Sequence, residues 1–336
     1  MRKIKLNKKR HNQARFRYQL KRRKWKKKTR KRRGSSKQQR TRAPEYIDLV
    51  APVKFTLEPE NVKEVLEYIE AVKKIGREKK DVNFILKDVE EIGIGAISML
   101  ISVMNELEER NVVFKGTKPK KDKPKNILEK SGFMNFVVGK VREQNRTTRN
   151  IIFTTGKINT HQKNIVNAIH KANLTVWGED GRSPLLYGTI VEMIKNSCKH
   201  AFKIEDKVKW HIAVNHDEKN NKVKFSFVDN GIGIIKSFEK EDLMKIFGGY
   251  FRNNAEFIDA AYNSGIESKT GKAWRGTGLP TIYETFSDKI IKKLVVITNN
   301  VYCDFETNKK FTLKEPFSGT YYYWEMDKGC VKHCFK

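Results

Sequence analysis

The first 44 residues contain no aspartate or glutamate. They hold 22 of the 70 Lys and Arg residues, so the remaining 48 basic against 39 acidic residues account for only +9 of the net charge of +31. Like charges this dense repel, and the segment has too little apolar surface to build a core, so a disordered basic arm is expected over 1–44. Long apolar runs are also missing. The longest, IGIGAISMLISVM, falls short of the about 20 residues that cross a bilayer. The charged N-terminus is not followed by an apolar stretch of signal-peptide type, which points to a cytoplasmic protein with no membrane partner. Cysteine is scarce: Cys198, Cys303, Cys330 and Cys334 make no disulfide framework in a chain of 336 residues. Cys330, His333 and Cys334 stand close together, but CVKHC fits no strong zinc pattern, so reduced thiols are expected.

What is present is a chain of ordinary hydrophobic content, 38%, long enough for two domains. Over 45–140 strand and helix patterns alternate. VKFTL, VNFILK and NVVFKG read as strands. Glu60–Ile75 places Val62, Val65, Leu66, Ile69 and Val72 at helical spacing. Ile94–Arg110 places Ile97, Leu100, Ile101, Met104 and Leu107 on one stripe, and NILEKSGF reads as a third helix after the basic loop TKPKKDKPK. A polar connection with one strand candidate, NIIFTTG, fills 141–159. Over 160–336 two helices (about 160–174 and Leu185–Phe202) precede the strands VKWHIAVNH and KVKFSFVDN. A polar, glycine-containing stretch, Gly248–Gly278, leads to a helix (Leu279–Phe286) and the strands KLVVITN, VYCDFE and GTYYYWEM. The whole predicts an α/β (α+β) fold: a βαβ domain, then a two-layer α/β sandwich.

Four pieces of the second half carry chemistry. In LLYGTIVEMIKNSCKHAF, Glu192 and Asn196 are four apart and share a helix face. The Asn196 carbonyl can meet Mg²⁺, which takes hard oxygen ligands, and Glu192 can orient or deprotonate a water near a terminal phosphate. Lys199, a turn further on, can meet phosphate. Taken one at a time, these residues also read as a solvated helix face. Asp229 ends an alternating strand before Gly231 and Gly233. Its carboxylate can accept from the exocyclic amine of adenine, and the glycines let the backbone pass under a flat base. Gly276, Thr277, Gly278 and Leu279 open a helix, where exposed N–H groups suit phosphate oxygens. Gly319 and Thr320 begin a strand, and the Thr320 hydroxyl can join a water bridge to the base.

The order of these pieces resembles the GHKL superfamily of ATP-binding domains, named for gyrase, the heat-shock chaperones, histidine kinases and mismatch-repair proteins. The N-box is Glu192–Asn196, the two glycine boxes Asp229–Gly233 and Gly276–Leu279, and the closing pair Gly319–Thr320. The resemblance covers about 160–330. It implies ATP and Mg²⁺ as ligands, a lid over Gly248–Arg275 preceded by Phe247, and Lys269, Lys272 and Arg275 as phosphate contacts. The following domain that sends a lysine to the γ-phosphate in larger members is not expected here.

FILKDVEEIGIGAISMLISVMNELEERNVVFKG with NILEKSGFMNF resembles a STAS domain, as in anti-sigma factor antagonists. The loop that carries a phosphorylatable hydroxyl in regulatory members here reads Glu90–Gly95 without one, and Ser98 lies a turn later. The domain is therefore expected to recruit a protein partner or to form a homodimer. His161 and His170 precede the N-box but lack the acidic and proline surroundings of a phosphoacceptor. The arm, over 2–42, is expected to bind nucleic acid through phosphates, with Phe16, Tyr18 and Trp25 available to stack. These expectations sum to an ATP-driven switch, of a kind that fits stress or antiphage regulation. Two alternatives stand beside it: an anti-sigma-type serine/threonine kinase acting in trans, and a non-hydrolysing, nucleotide-dependent binding protein.

Overall fold

The chain enters its first sheet at Tyr46–Val50 (β1), a strand hidden in the sequence because Asp48 interrupts a short apolar run. The computed structural model describes residues 46–137, 151–155, 162–198, 209–238, 253–263 and 278–333. The basic arm, Lys199, Phe247, Lys269, Lys272, Arg275, Gly276, Thr277, His161 and Cys334 lie outside the described residues. Among those described, no helix is long and apolar enough to cross a membrane.

The elements of the first half follow as β2 (Lys54–Phe55), α1 (Val62–Arg77), β3 (Asp81–Ile85), β4 (Glu91–Ile92), α2 (Ile94–Glu108), β5 (Phe114–Gly116), α3 (Asp122–Lys130) and α4 (Met134–Val137). β1, β3 and β5 form a parallel sheet in that order, and β2 pairs with β4. Helix α3 begins inside the basic loop rather than at Asn126, with Asp122 favourably placed in its first turn.

The second half comprises β6 (Ile151–Thr155), α5 (Gln162–Trp177), α6 (Pro184–Asn196), β7 (Lys209–Asp217), β8 (Lys222–Asp229), α7 (Ile234–Ser237), α8 (Asn254–Asn263), α9 (Gly278–Ser287), β9 (Lys292–Asp304) and β10 (Lys309–Met326). Its five strands make an antiparallel sheet in the order β6-β7-β8-β10-β9. The fold is thus mixed α/β.

Strand alternation explains the layering. Val223, Phe225 and Phe227 of β8 point to one face, where they join Ile165, Ile190, Ile258 and Ile282 of the helices α5, α6, α8 and α9. Val228 points to the other face and joins the cluster that contains α1 and α2. Stacked rings tie neighbouring strands together, with Phe225 and Trp324 centroids 5.1 Å apart. The central sheet is therefore covered on both sides, and Tyr46–Lys336 forms one compact unit whose first-half elements share a core with the sheet.

Four local differences from expectation follow from this burial. Helix α2 is buried almost all round, Ala96, Met99 and Val103 included, because it lies between layers rather than on a surface. KLVVITN and VYCDFE are one strand, β9, which turns into β10 through Asp304: its Oδ1 accepts from the N–H of Glu306 at 2.9 Å and of Thr307 at 3.1 Å. β10 starts ten residues before GTYYYWEM and passes exposed Pro316 where the register with β9 shifts between Thr312 and Phe317, as a residue without an N–H requires. The stretch 248–275, polar in sequence and expected as a lid, holds a helix among its described residues. Within it, α8 is a packed helix with Ala255, Phe257, Ile258, Ala261 and Tyr262 buried, and the Tyr262 hydroxyl donates to Tyr322 Oη at 2.8 Å.

Candidate functional site

Helix α6 is set by Pro184 in its first turn, where the missing N–H costs nothing, and by an inward face of Leu186, Thr189, Ile190, Met193 and Ile194. That face leaves Glu192 and Asn196 half-buried on the side toward α9. Gly278, the first residue of α9, comes so close that a Cβ there would lie 3.2 Å from both Asn196 Oδ1 and Glu192 Oε2. The amide nitrogen of Asn196 is buried and has no hydrogen-bond partner among the described residues. A buried amide donor without an acceptor costs about 1–3 kcal/mol, so a ligand oxygen beside it would relieve a real penalty. Glu192 is not free: Lys195, one turn on, forms an ion pair with its Oε1. Leu279 packs against the cluster beneath.

Asp229 closes β8 between β7 and β10, with only 3% of its surface exposed. Its Oδ1 accepts from the backbone N–H of Gly231 at 2.8 Å and of Thr320 at 3.2 Å. Its Oδ2 accepts from the Ser197 hydroxyl at 2.8 Å, which also lies 3.1 Å from Met193 O. A hydroxyl has one proton, and the charged, closer acceptor takes it. Every partner of Asp229 among the described residues is neutral. Burial pushes its carboxyl up to about 6, and the donated hydrogen bonds only partly offset that.

The loop after Asp229 is held by residues of β9 that the sequence did not single out. Thr298 Oγ1 accepts from the Ile234 N–H at 2.8 Å and donates to Gly319 O at 3.1 Å. Asn299 accepts from the Ile235 N–H at 3.0 Å and donates to Ile232 O at 2.8 Å. Gly233 has a φ of +84°, and a Cβ on it would fall 2.5 Å from Asn299 Oδ1, so the turn needs glycine there. Thr320 is in register with both Asp229 and Thr298. Asp229, Gly231, Gly233, Gly278, Glu192, Asn196 and Thr320, scattered over 129 positions of sequence between Glu192 and Thr320, therefore converge at one end of the sheet. Ser197, Lys195, Thr298 and Asn299 join them. The last two could have been found only from register, since Thr-Asn inside an apolar strand reads as ordinary edge polarity. The Nδ1 of His170 lies 2.6 Å from Asp180 Oδ1.

A second buried titratable group faces the opposite side of the sheet. His211 lies with its Nε2 2.6 Å from Ser98 O, and burial lowers its pKa to about 4. A carbonyl only accepts, so the proton is on Nε2. The two groups have opposite effects on stability. Asp229, raised above its ordinary 3.8, contributes stability that is full below that value and lost as pH rises through about 6. His211, lowered from 6.5, contributes stability that is full above that value and lost as pH falls through about 4. Each is worth on the order of 3 kcal/mol, so between about pH 4 and 6 they oppose one another. Relative to the parent protein, Asp229→Asn should lose stability on going from pH 6.5 to 4.5, and His211→Gln should gain it. Thermal unfolding at the two pH values reads both signs.

No protein-family model matches the chain, and no curated protein matches it.

Proposed function

We propose that this chain is a Mg-ATP-binding regulatory ATPase of the GHKL type, with a STAS-like first half and a basic arm that engages nucleic acid. The observation that carries the reading is Asp229: a carboxylate 3% exposed whose hydrogen-bond partners among the described residues are all neutral donors. A group so placed costs stability when ionised, and buried carboxylates of this kind cluster at functional sites. The Asp229 carboxylate suits the exocyclic amine of a purine once the Ser197 or Thr320 hydroxyl turns aside. The Asn196 amide beside Gly278, without a partner among the described residues, suits a phosphate oxygen and leaves the Asn196 carbonyl for the cation. The donor set is all oxygen and amide, which fits Mg²⁺. Bound Mg²⁺ would neutralise phosphate charge. The parallel β1-β3-β5 sheet with α1 and α2 supports the STAS-like reading and, with it, a protein partner or a homodimer. The arm's charge supports nucleic acid as a further partner, and the chain as a whole is read as cytoplasmic.

Glu192 is the residue for water activation. Its ion pair with Lys195 holds it in place and must loosen for it to take a proton, which favours slow turnover and a switch over a metabolic ATPase. The test is ATP binding and phosphate release by the full chain, with and without RNA or DNA. Glu192→Ala should bind ATP within about threefold of the parent and lose phosphate release by roughly a hundredfold or more, the scale of a lost general base. Phosphate appearing on a partner protein instead of in solution would transfer the assignment to an anti-sigma-type kinase. Full biological function in Glu192→Gln would leave a nucleotide-dependent binding protein.

A further inference from the structure

Helix α2 turns two serines, Ser98 and Ser102, one turn apart, toward the sheet. Both are buried, 0% and 2% exposed. Ser98 meets the middle of β8, its Oγ 2.9 Å from Ser226 Oγ. Ser102 meets the strand's end. Its hydroxyl donates to Asn230 Oδ1, and Asn230 Nδ2 donates back to the Ser102 carbonyl at 2.9 Å. Both polar ends of the Asn230 side chain are thus held by one residue 128 positions earlier in the chain. Side chains alternate along a strand, so Asp229 faces α6 and Asn230, its neighbour, faces α2. The next residue, Gly231, supplies one of the N–H groups on Asp229 Oδ1. The same short segment is therefore gripped from both sides of the sheet.

We propose that Ser102 is a positioning residue for the nucleotide site: through Asn230 it fixes the Gly231 N–H on Asp229, and by that contact the first half of the chain sets nucleotide affinity. The inference rests on the reading of Asp229 as the base contact. Coupling of this kind is reciprocal, so a ligand of the first half whose binding shifts α2 lowers nucleotide affinity, and nucleotide weakens that ligand's hold by the same factor.

The test uses the full chain, a non-hydrolysable ATP analogue with Mg²⁺, and hydrogen exchange at the Gly231 amide without nucleotide. Ser102→Ala should weaken analogue binding by about tenfold, as expected for one misplaced buried hydrogen bond, and should speed exchange at Gly231. Ser98→Ala removes an equally buried hydroxyl from the same helix but from mid-strand, so it should lower the unfolding temperature and leave affinity within about twofold. Asn230→Ala carries the same test from the loop side should Ser102→Ala not fold. Unchanged Gly231 exchange and affinity in Ser102→Ala, or an equal loss in Ser98→Ala, overturns the coupling alone. Failure of the parent protein to bind the analogue overturns the ATP reading and the coupling with it.

Discussion

Asp229→Asn is expected to fold, to match or exceed the parent in stability at neutral pH, and to lose ATP affinity by about a hundredfold or more. The geometry separates the two outcomes. An asparagine oxygen in the Oδ1 position can still accept from Gly231 and Thr320, whose N–H groups lie 2.8 and 3.2 Å from it. The amide nitrogen then replaces Oδ2, and the Ser197 hydroxyl can turn to accept from it. The backbone frame therefore survives, and the cost of keeping a carboxylate ionised in a site that pushes its pKa to about 6 disappears. Toward a purine amine, however, the site now presents a donor to a donor, and both are left unpaired. Calorimetric titration together with unfolding curves reads both quantities in the same samples. A variant that loses affinity only because it unfolds would show neither the retained stability nor a cooperative transition.

Gly319→Ala is expected to cost about 3 kcal/mol or more of folding stability, although it adds a single methyl group. Gly319 has a φ of +121°, a region closed to residues with a Cβ, and the added carbon would lie 2.0 Å from the Asp229 carbonyl oxygen. Neither atom is at the end of a flexible side chain, so the backbone must move. Movement there pulls the Thr320 N–H off Asp229 Oδ1 and the Gly319 carbonyl off Thr298 Oγ1. The loss should therefore appear in denaturant midpoint and in nucleotide affinity together. By contrast, Ala at Gly188, where no atom of the described residues would lie within 4 Å of a new Cβ, should be neutral or slightly stabilising. A Gly319→Ala protein as stable as the parent would mean that the β8–β10 junction is not held as described.

Much of this site was legible because its residues are bound to local sequence patterns. Glu192 and Asn196 follow helix spacing, and Asp229 ends a period-2 strand before two glycines. What stayed hidden is what depends on distant register. Thr298 and Asn299 become loop anchors only because β9 pairs with β10 beside Asp229. Ser102 becomes a partner of Asn230 only because α2 lies flat on the far face of the sheet. In sequence, a serine inside an apolar helix reads as a tolerated small residue. Two-sided burial also blurred element boundaries. The run from Lys292 to Asp304 has no polar face to mark where one strand ends, and Asn299, with a φ of +51°, imitates a turn inside it. Tyr46–Val50 escaped for the opposite reason, being a half-exposed edge with little apolar signal. Helix α8 was legible in principle, since Ala255, Ile258, Ala261 and Tyr262 recur at helical spacing, but the GHKL resemblance assigns the whole stretch to a lid.

The most direct measurement is a crystal structure of the full chain grown with Mg²⁺ and a non-hydrolysable ATP analogue. The adenine amine should lie within hydrogen-bond distance of the Asp229 carboxylate, phosphate oxygens at the start of α9 beside Asn196, and the cation on the Asn196 carbonyl. Nucleotide bound at any other place, or this end of the sheet closed around Asp229 with the analogue excluded, would contradict this placement.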